Sequence, residues 1–173
     1  MKKLNVSRRT VYYWINEGIL KTIRLGGIYR FHPEDIHDLI ESGRSTLAGK
    51  FKKILAVDDD ILVRESIKIL LGRAGYSVTV TSSGREAVDL LEKQDFDLAL
   101  TDMRMPGMDG LETLMAMRKV RKAAGKEMIP EIILSAYDDR AAVDKAKKIG
   151  VKDFILKPFE LDDFLKVIEK SFV

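Results

Sequence analysis

The sequence predicts an α/β protein in which a doubly wound, five-stranded parallel sheet follows a small N-terminal domain. Beyond residue 50, five short apolar runs alternate with segments of helical period. A stretch rich in Gly, Ser and Thr comes just before the first run and has the composition of a connector. Because strands that alternate with helices form a parallel sheet covered on both faces, these observations indicate one larger α/β domain and a separate smaller one.

The five strands are predicted from apolar runs that are too short for buried helices. They cover residues 54–57, 78–80, 98–100, 132–134 and 154–156. Asp60 is expected to cap the first helix, which ends near Gly75, and Ser83 with Glu86 has the spacing of a capping box for the second helix. The remaining helices are predicted over residues 111–124, 139–149 and 161–171.

Charge separates the two predicted domains. Residues 1–30 hold seven Lys and Arg against one acid, whereas residues 51–173 hold 21 basic against 22 acidic residues. Only the first thirty residues are therefore suited to a polyanion. We place the N-terminal domain at residues 1–42, a linker at 43–50 and the larger domain at 51–173.

Composition excludes several classes of protein. A hydrophobic content of 46% suffices for a buried core, and no apolar run approaches the ~18 residues that a membrane span needs. The absence of cysteine excludes disulfides and Cys-ligated zinc. No signal-peptide pattern follows Lys2 and Lys3, so we expect a cytoplasmic protein that makes no membrane contact.

Polar residues follow four of the predicted strands, at the edge where parallel sheets bind ligands. They are Asp58 and Asp59 after the first strand, Asp102 after the third, Ser135 after the fourth and Lys157 after the fifth. Carboxylates a few Å apart repel by roughly 4 kcal/mol at an effective dielectric of ~20, so we expect a cation among them. Oxygen ligands favour Mg²⁺ (or Mn²⁺) over zinc. One carboxylate could then accept a phosphoryl group while the cation, Lys157 and Ser135 hold its oxygens.

Four motifs resemble the receiver domain of two-component response regulators, in the expected order and spacing. They are Val57-Asp58-Asp59, Leu100-Thr-Asp-Met-Arg-Met-Pro-Gly-Met-Asp-Gly110, Leu134-Ser135-Ala136 and Lys157-Pro158-Phe159. The resemblance covers about 120 residues and implies the flavodoxin-like receiver fold. It implies that Asp102 accepts a phosphoryl group from a sensor histidine kinase or a phosphotransfer protein.

The resemblance also implies what the neighbouring residues do. Asp59, Asp102 and the Arg104 carbonyl would bind Mg²⁺, with Asp58 contributing through water, and Lys157 would contact the phosphoryl group. Such a protein is a phosphoacceptor that dephosphorylates itself, not a dedicated enzyme.

Ser135 and Phe154 correspond to the family's switch pair. Phe154 stands where a Tyr is often found, and since Phe has no hydroxyl, only its packing could report the switch.

Residues 54–60 also resemble the Asp-x-Asp nucleophile motif of haloacid-dehalogenase-type phosphatases. That family needs a further acidic pair at a strand end after its lysine, whereas Asp162 and Asp163 fall within a helical pattern. This alternative also gives Asp102 no role, and we regard it as the weaker one.

The N-terminal domain is predicted to hold a short helix from Ser7 to Gly18. Val11, Trp14 and Ile15 form an apolar stripe on this helix. The opposite face carries Arg, Tyr and Asn side chains suited to phosphates and base edges. The residues expected to contact DNA are Arg8, Arg9, Tyr12, Tyr13 and Asn16 on the helix and Lys21, Arg24 and Arg30 on the following hairpin.

That hairpin is predicted from Gly26-Gly27, which separates two apolar or basic runs. Together, the helix, the hairpin and Tyr29-Arg30-Phe31 resemble winged helix-turn-helix modules of the MerR and excisionase kind over about 45 residues. Only five residues precede Val6, so the first helix of that fold is expected to be short or missing. The alternative interpretation is a small dimerisation or docking element whose basic face is merely solvated.

We therefore expect a response regulator in which phosphorylation of Asp102 promotes homodimerisation and thereby controls DNA binding by the N-terminal domain. The alternative is a phosphorelay or protein-interaction switch, in which the N-terminal domain docks a protein instead of DNA.

Overall fold

The computed structural model describes residues 11, 15, 20–25, 28–31, 34, 52–136 and 140–172. The chain divides into two compact units. The first contains residues 1–52 and 71–77, and the second contains residues 53–70 and 78–173.

An antiparallel hairpin lies in the N-terminal unit. Strand β1 (Thr22–Leu25) pairs with β2 (Ile28–Phe31), and Leu25 lies opposite Ile28 in the register. The pairing confirms the hairpin predicted around Gly26-Gly27.

Part of the predicted N-terminal helix is described. Val11 and Ile15 are helical and partly buried, in agreement with an apolar stripe at helical spacing. Glu34 is also helical, and Leu20 is buried. The other residues of the predicted helix lie outside the described residues, and so do most of the predicted DNA contacts.

Five strands form the second sheet: β3 (Lys53–Val57), β4 (Ser77–Thr81), β5 (Leu98–Asp102), β6 (Glu131–Ala136) and β7 (Asp153–Lys157). Their order across the sheet is β4-β3-β5-β6-β7. The pairings of β3 with β5, β5 with β6 and β6 with β7 are parallel. Numbered within this sheet, the order is 2-1-3-4-5, that of the flavodoxin-like doubly wound fold. The predicted fold class is confirmed.

Helices connect these strands: α1 (Ile61–Arg73), α2 (Gly84–Lys93), α3 (Gly110–Ala123), α4 (Arg140–Lys148) and α5 (Leu161–Lys170). Asp60 immediately precedes the first helix, and its Oδ1 accepts a hydrogen bond of 2.7 Å from the Leu62 amide, as predicted for a capping residue. At the start of α3, Asp109 and Glu112 form a complete capping box.

The capping box predicted for α2 is only half formed. Ser83 is the N-cap and accepts a hydrogen bond from the Glu86 amide, as expected. The Glu86 carboxylate, however, accepts hydrogen bonds from the Thr81 hydroxyl and the Ser82 amide. The prediction of a reciprocal box was wrong because β4 places a buried hydroxyl within reach of this carboxylate.

The central strands are buried on both faces. Leu55 and Val57 of β3 belong to a core cluster that also contains Leu91 of α2 and Leu114 of α3. The alternate residues of β3 are also fully buried. Since side chains alternate between the two faces of a strand, no face of β3 is left to solvent. The charged residues of the sheet all lie at strand ends.

Candidate functional site

Asp58, Asp102 and Lys157 meet at the carboxyl edge of the five-stranded sheet. Asp58 directly follows β3, and Asp102 and Lys157 are the last residues of β5 and β7. The Lys157 Nζ lies 2.5 Å from Asp58 Oδ2 and also donates a hydrogen bond to Asp102 Oδ1. One ammonium group thus bridges two carboxylates.

Main-chain amides hold the other oxygen of each carboxylate. The Asp60 amide donates to Asp58 Oδ1 over 2.9 Å, and the Arg104 amide donates to Asp102 Oδ2 over 2.7 Å. Every carboxylate oxygen of Asp58 and Asp102 therefore has a hydrogen-bond donor. Both side chains are fixed by the loops that follow their strands.

Burial sets the electrostatics of this cluster. Asp58 is 1% exposed and Asp102 is 7% exposed. Burial raises the pKa of Asp102 above its ordinary value, although the hydrogen bond and charge of Lys157 offset part of the rise. Burial alone would lower the pKa of Lys157, but its bonds to Asp102 and Asp58 outweigh that effect and raise it. Lys157 is therefore a firmly charged ammonium.

The oxygen donors near this cluster fit a hard cation. With both carboxylates ionised, the group of Asp58, Asp102 and Lys157 has a net charge of −1. The exposed Asp59, next to Asp58 in the sequence, adds a further negative charge. Carboxylates and main-chain carbonyls are ligands that Mg²⁺ prefers. Within the described part of the chain, however, no three carboxylate or imidazole groups are placed together as a ligand set. The structure brings Asp58 and Asp102 together around Lys157 and leaves Asp59 exposed.

Ser135 lies at the same edge, on the strand between Asp102 and Lys157. Its strand partner is Leu156, one residue before Lys157, and Asp102 is paired with Leu134. Ser135 is 1% exposed, and its hydroxyl donates to the Ala136 carbonyl over 3.3 Å.

Phe154, the other predicted switch residue, lies at the second position of β7. Its side chain is partly buried and packs against the core cluster. The Lys147 ammonium lies 5.1 Å from the centre of its ring, within range of a cation–π interaction. Phe154 thus touches both the core and the end of α4.

The loop between β5 and α3 passes very close to Asp102. A Cβ added at Gly110 would come within 2.3 Å of the Asp102 carbonyl oxygen. The Gly110 amide donates to the Met103 carbonyl over 3.0 Å, which closes the loop onto the strand end. The sequence predicted a helix after Gly110 but gave no indication of this close approach.

Two further contacts at this edge were not predicted. The Arg64 side chain donates a hydrogen bond of 2.7 Å to the Asp58 carbonyl. The Thr81 hydroxyl, buried at the end of β4, donates to Glu86. The position of Arg64, one helical turn beyond Asp60, was the available signal, because a side chain there can reach back to the preceding loop.

The predicted DNA contacts are described only in part. Lys21 is exposed just before β1. Arg24 and Arg30 lie within the hairpin, where they pair in register with Tyr29 and Ile23. The predicted helix residues Arg8, Arg9, Tyr12, Tyr13 and Asn16 lie outside the described residues.

A parallel sheet in the order 2-1-3-4-5 with acidic residues at its carboxyl edge places this domain in the flavodoxin-like class of α/β proteins. Residues 54–169, more than half of the chain, match the family model of the response regulator receiver domain. The chain therefore belongs to the response regulator receiver family. Residues 1–44 match a helix-turn-helix domain.

Individual proteins are also similar to this chain in sequence and structure. The chain is 37% identical over 118 residues to the transcriptional regulatory protein ZraR of Escherichia coli, a match that covers 68% of this chain and 26% of ZraR. It is 33% identical over 119 residues to sporulation initiation phosphotransferase F of Bacillus subtilis, covering 69% of this chain and 92% of that protein. Among solved structures, the Vibrio cholerae chemotaxis protein CheY4 matches 70% of this chain and 98% of its own, with a TM-score of 0.63 and 30% identity. The chain thus spans about a quarter of ZraR and nearly all of the phosphotransferase.

None of the described helices is both long enough and apolar enough to cross a bilayer.

Proposed function

We propose that this protein is a two-component response regulator in which Asp102 receives a phosphoryl group from a sensor histidine kinase or a phosphotransfer protein. The observation that carries the proposal is the ammonium of Lys157 bridging Asp58 and Asp102 at the carboxyl edge of the sheet. Asp102 is the last residue of the central strand β5, and the loop that follows it leads into α3.

In the proposed transfer, an Asp102 carboxylate oxygen attacks the phosphorus of a phosphohistidine. The P–N bond breaks, its electron pair stays on the imidazole nitrogen, and an acyl phosphate forms on Asp102. Lys157 would then pair with a phosphoryl oxygen, and Ser135 would donate its hydroxyl to another. Water would later cleave the acyl phosphate, which restores the carboxylate, so the protein is a self-dephosphorylating phosphoacceptor and not a dedicated enzyme.

Mg²⁺ (or Mn²⁺) is the proposed cofactor. Asp58, Asp59, Asp102 and the Arg104 carbonyl would hold it, and when bound it would neutralise the charge of the acids and of the incoming phosphoryl group. The chain's own contribution is to hold Asp58 and Asp102 through the Asp60 and Arg104 amides.

Phosphorylation would change a surface of the receiver. Close to two negative charges at Asp102 would draw Ser135 inward and alter the packing of Phe154 between the core and α4. The altered surface would favour a homodimer, which would bring two N-terminal modules to one stretch of DNA in the cytoplasm. Support comes from the match of residues 1–44 to a helix-turn-helix domain and from the similarity to ZraR, a transcriptional regulatory protein.

A phosphorelay intermediate is the second candidate. The observation that favours it is the match to sporulation initiation phosphotransferase F, which the chain covers over 92% of its length. In that case the N-terminal domain would dock a protein and not DNA.

Phosphoryl transfer is tested with a small-molecule phosphodonor and Mg²⁺, with phosphoprotein gels and intact-mass spectrometry as readouts. We expect the wild type to gain one phosphoryl group and Asp102→Asn to gain none. Labelling that survives in Asp102→Asn but is lost in Asp58→Asn would contradict the proposal and favour the phosphatase alternative.

DNA binding is tested by measuring duplex affinity between about 50 and about 200 mM salt, with and without phosphodonor, because each phosphate contact steepens the salt dependence. We expect a steep loss of affinity with salt, and Arg24→Gln or Arg30→Gln should make it shallower. A flat response would favour protein docking.

A further inference from the structure

Arg64 is directed at the acidic site, although it belongs to none of the motifs that define it. Its Nη1 donates to the main-chain carbonyl of Asp58 over 2.7 Å, and the side chain is partly buried. The amide of Arg64 is already used by α1, where it donates to the Asp60 carbonyl over 3.0 Å. Helix formation therefore does not require the side-chain contact.

This contact completes a clamp on the main chain of Asp58. On one side, the Asp58 amide donates to the Thr81 carbonyl over 3.2 Å, which ties it to the end of β4. On the other side, the Asp58 carbonyl accepts from Arg64. Thr81 is itself held in place, because its hydroxyl donates a hydrogen bond to Glu86.

The carbonyl that Arg64 holds belongs to the peptide group between Asp58 and Asp59. Because a peptide group is planar, fixing the direction of its carbonyl also fixes the direction in which the chain leaves Asp58 toward Asp59. Asp58 is then held by its amide, its carbonyl and both carboxylate oxygens.

We propose that Arg64 is a positioning residue that orients the Asp58-Asp59 pair for a divalent cation. This inference rests on the proposed function, since it assigns Arg64 to the same cation site. Groups that orient metal ligands typically change metal affinity by about 10- to 100-fold when they are removed.

The direction of the change in Mg²⁺ affinity distinguishes a positioning role of Arg64 from a purely electrostatic one. Removing a positive charge near an anionic site strengthens cation binding if the ligands stay in place. Loss of the clamp instead weakens binding, because the two acids are no longer held in the required orientation. A weaker Mg²⁺ affinity in Arg64→Ala is therefore the opposite of what charge alone produces.

The experiment measures Mg²⁺ affinity of the full chain by titration calorimetry without phosphodonor, and urea unfolding of each variant without Mg²⁺. We expect Arg64→Ala to bind Mg²⁺ about tenfold more weakly than the wild type. Arg64→Lys keeps the charge and one donor and should recover part of the loss. Lys68→Ala is the matched control, because Lys68 is exposed one turn further along α1.

The outcomes distinguish this inference from the function on which it rests. Wild-type protein that binds no Mg²⁺ overturns the proposed cation site and the role of Arg64 together. Wild-type binding with equal or tighter binding by Arg64→Ala overturns the role of Arg64 alone. A lower unfolding midpoint with unchanged Mg²⁺ affinity in both Arg64 variants shows a structural role only, and it also overturns the inference.

Discussion

The Lys157 ammonium lies 2.5 Å from the Asp58 carboxylate, although 99 positions separate the two residues along the chain. They meet because β3 and β7 are strands of one parallel sheet and both end at the same edge. Lys157 is 24% exposed, whereas Asp58 is almost completely buried. The Lys157 side chain is thus partly exposed, whereas the carboxylate with which it pairs is buried.

Replacing Lys157 with Met should destabilise the fold at neutral pH. Asp58 and Asp102 would then be two buried carboxylates with no counter-charge, and we expect a loss of about 1–3 kcal/mol in the free energy of unfolding. Added Mg²⁺ should restore part of it. Urea unfolding with and without Mg²⁺ is the measurement.

The matched control for that prediction is Lys166→Met. Lys166 forms an exposed ion pair of 2.9 Å with Asp163, for which we expect a change below about 1 kcal/mol. Equal losses in the free energy of unfolding of Lys157→Met and Lys166→Met would show that the buried ion pairs of Lys157 stabilise the protein no more than an exposed ion pair does.

Arg118→Ala should make stability strongly dependent on pH. Burial raises the pKa of Glu131, and the hydrogen bonds and charge of Arg118 offset only part of the rise. The folded state therefore binds the proton of Glu131 more tightly than the unfolded state does. The stability that this proton contributes is fully present below the unfolded Glu pKa of about 4.3, and it is lost as pH rises through the raised pKa of the folded state. Without Arg118 the pKa of Glu131 should rise further, and the ionised carboxylate should cost about 2–4 kcal/mol near neutral pH.

Urea unfolding at about pH 5 and about pH 7 checks this, with a larger loss expected at the higher pH. Lys126→Ala is the control, because Lys126 pairs with the exposed Asp95. The hydrogen bond from Lys126 lowers the pKa of Asp95. The stability that this ion pair contributes therefore depends on pH in the opposite direction and is lost as pH falls. The same loss in Arg118→Ala at both pH values would contradict the prediction.

Gly110→Ala should destabilise the receiver and disturb Asp102. The added Cβ would lie 2.3 Å from the Asp102 carbonyl oxygen, so the loop after β5 must shift, at a cost of about 1–3 kcal/mol. Slower phosphorylation should accompany the loss of stability. Thermal unfolding and the phosphodonor assay measure the two effects.

Gly72→Ala supplies the comparison. Gly72 lies within α1, and a Cβ there meets no atom within 4 Å. Because Ala is the better helix former, this change should stabilise the protein by roughly 0.5–1 kcal/mol. A stabilising Gly110→Ala would refute the close approach.

Thr81→Val should raise the pKa of Glu86. The hydrogen bond from Thr81 is the main reason that the pKa of Glu86 lies below its ordinary value, with the Ser82 amide second. A lowered pKa contributes stability that is present above the ordinary Glu value and is lost as pH falls through the folded one. An NMR pH titration of Glu86 in both proteins tests this, and an unchanged Glu86 pKa in Thr81→Val would contradict it. Ser82→Ala should produce a smaller rise.

Most of the architecture could be read from the sequence because the parallel sheet is buried on both faces. Such strands are short and mostly apolar, and their charged residues lie where they end. The runs before Asp58 and Asp102 are strands in the structure, and the chain belongs to the receiver family. The Gly26-Gly27 pair between two apolar or basic runs likewise predicted the hairpin that β1 and β2 form.

Contacts that depend on distances between elements could not be read in this way. Glu86 has the spacing of a capping-box residue, yet its carboxylate turns to Thr81 because β4 ends beside it. No pattern in the sequence predicted that Arg118 donates hydrogen bonds to Glu131 and to the Ile149 carbonyl. Each of these choices depends on which partner lies closer in space.

By itself, the sequence determined the succession of strands and helices and the residues available at the strand ends, since these follow from local periodicity and from the chemistry of each side chain. The tertiary structure alone decided that Lys157 bridges Asp58 and Asp102, that Asp59 stays exposed, and that Arg64 turns back onto the Asp58 carbonyl. A hydrogen bond or ion pair weakens when its two groups move apart by an ångström or two. Residues that are distant in the sequence are placed with that accuracy only when the helices and strands pack together.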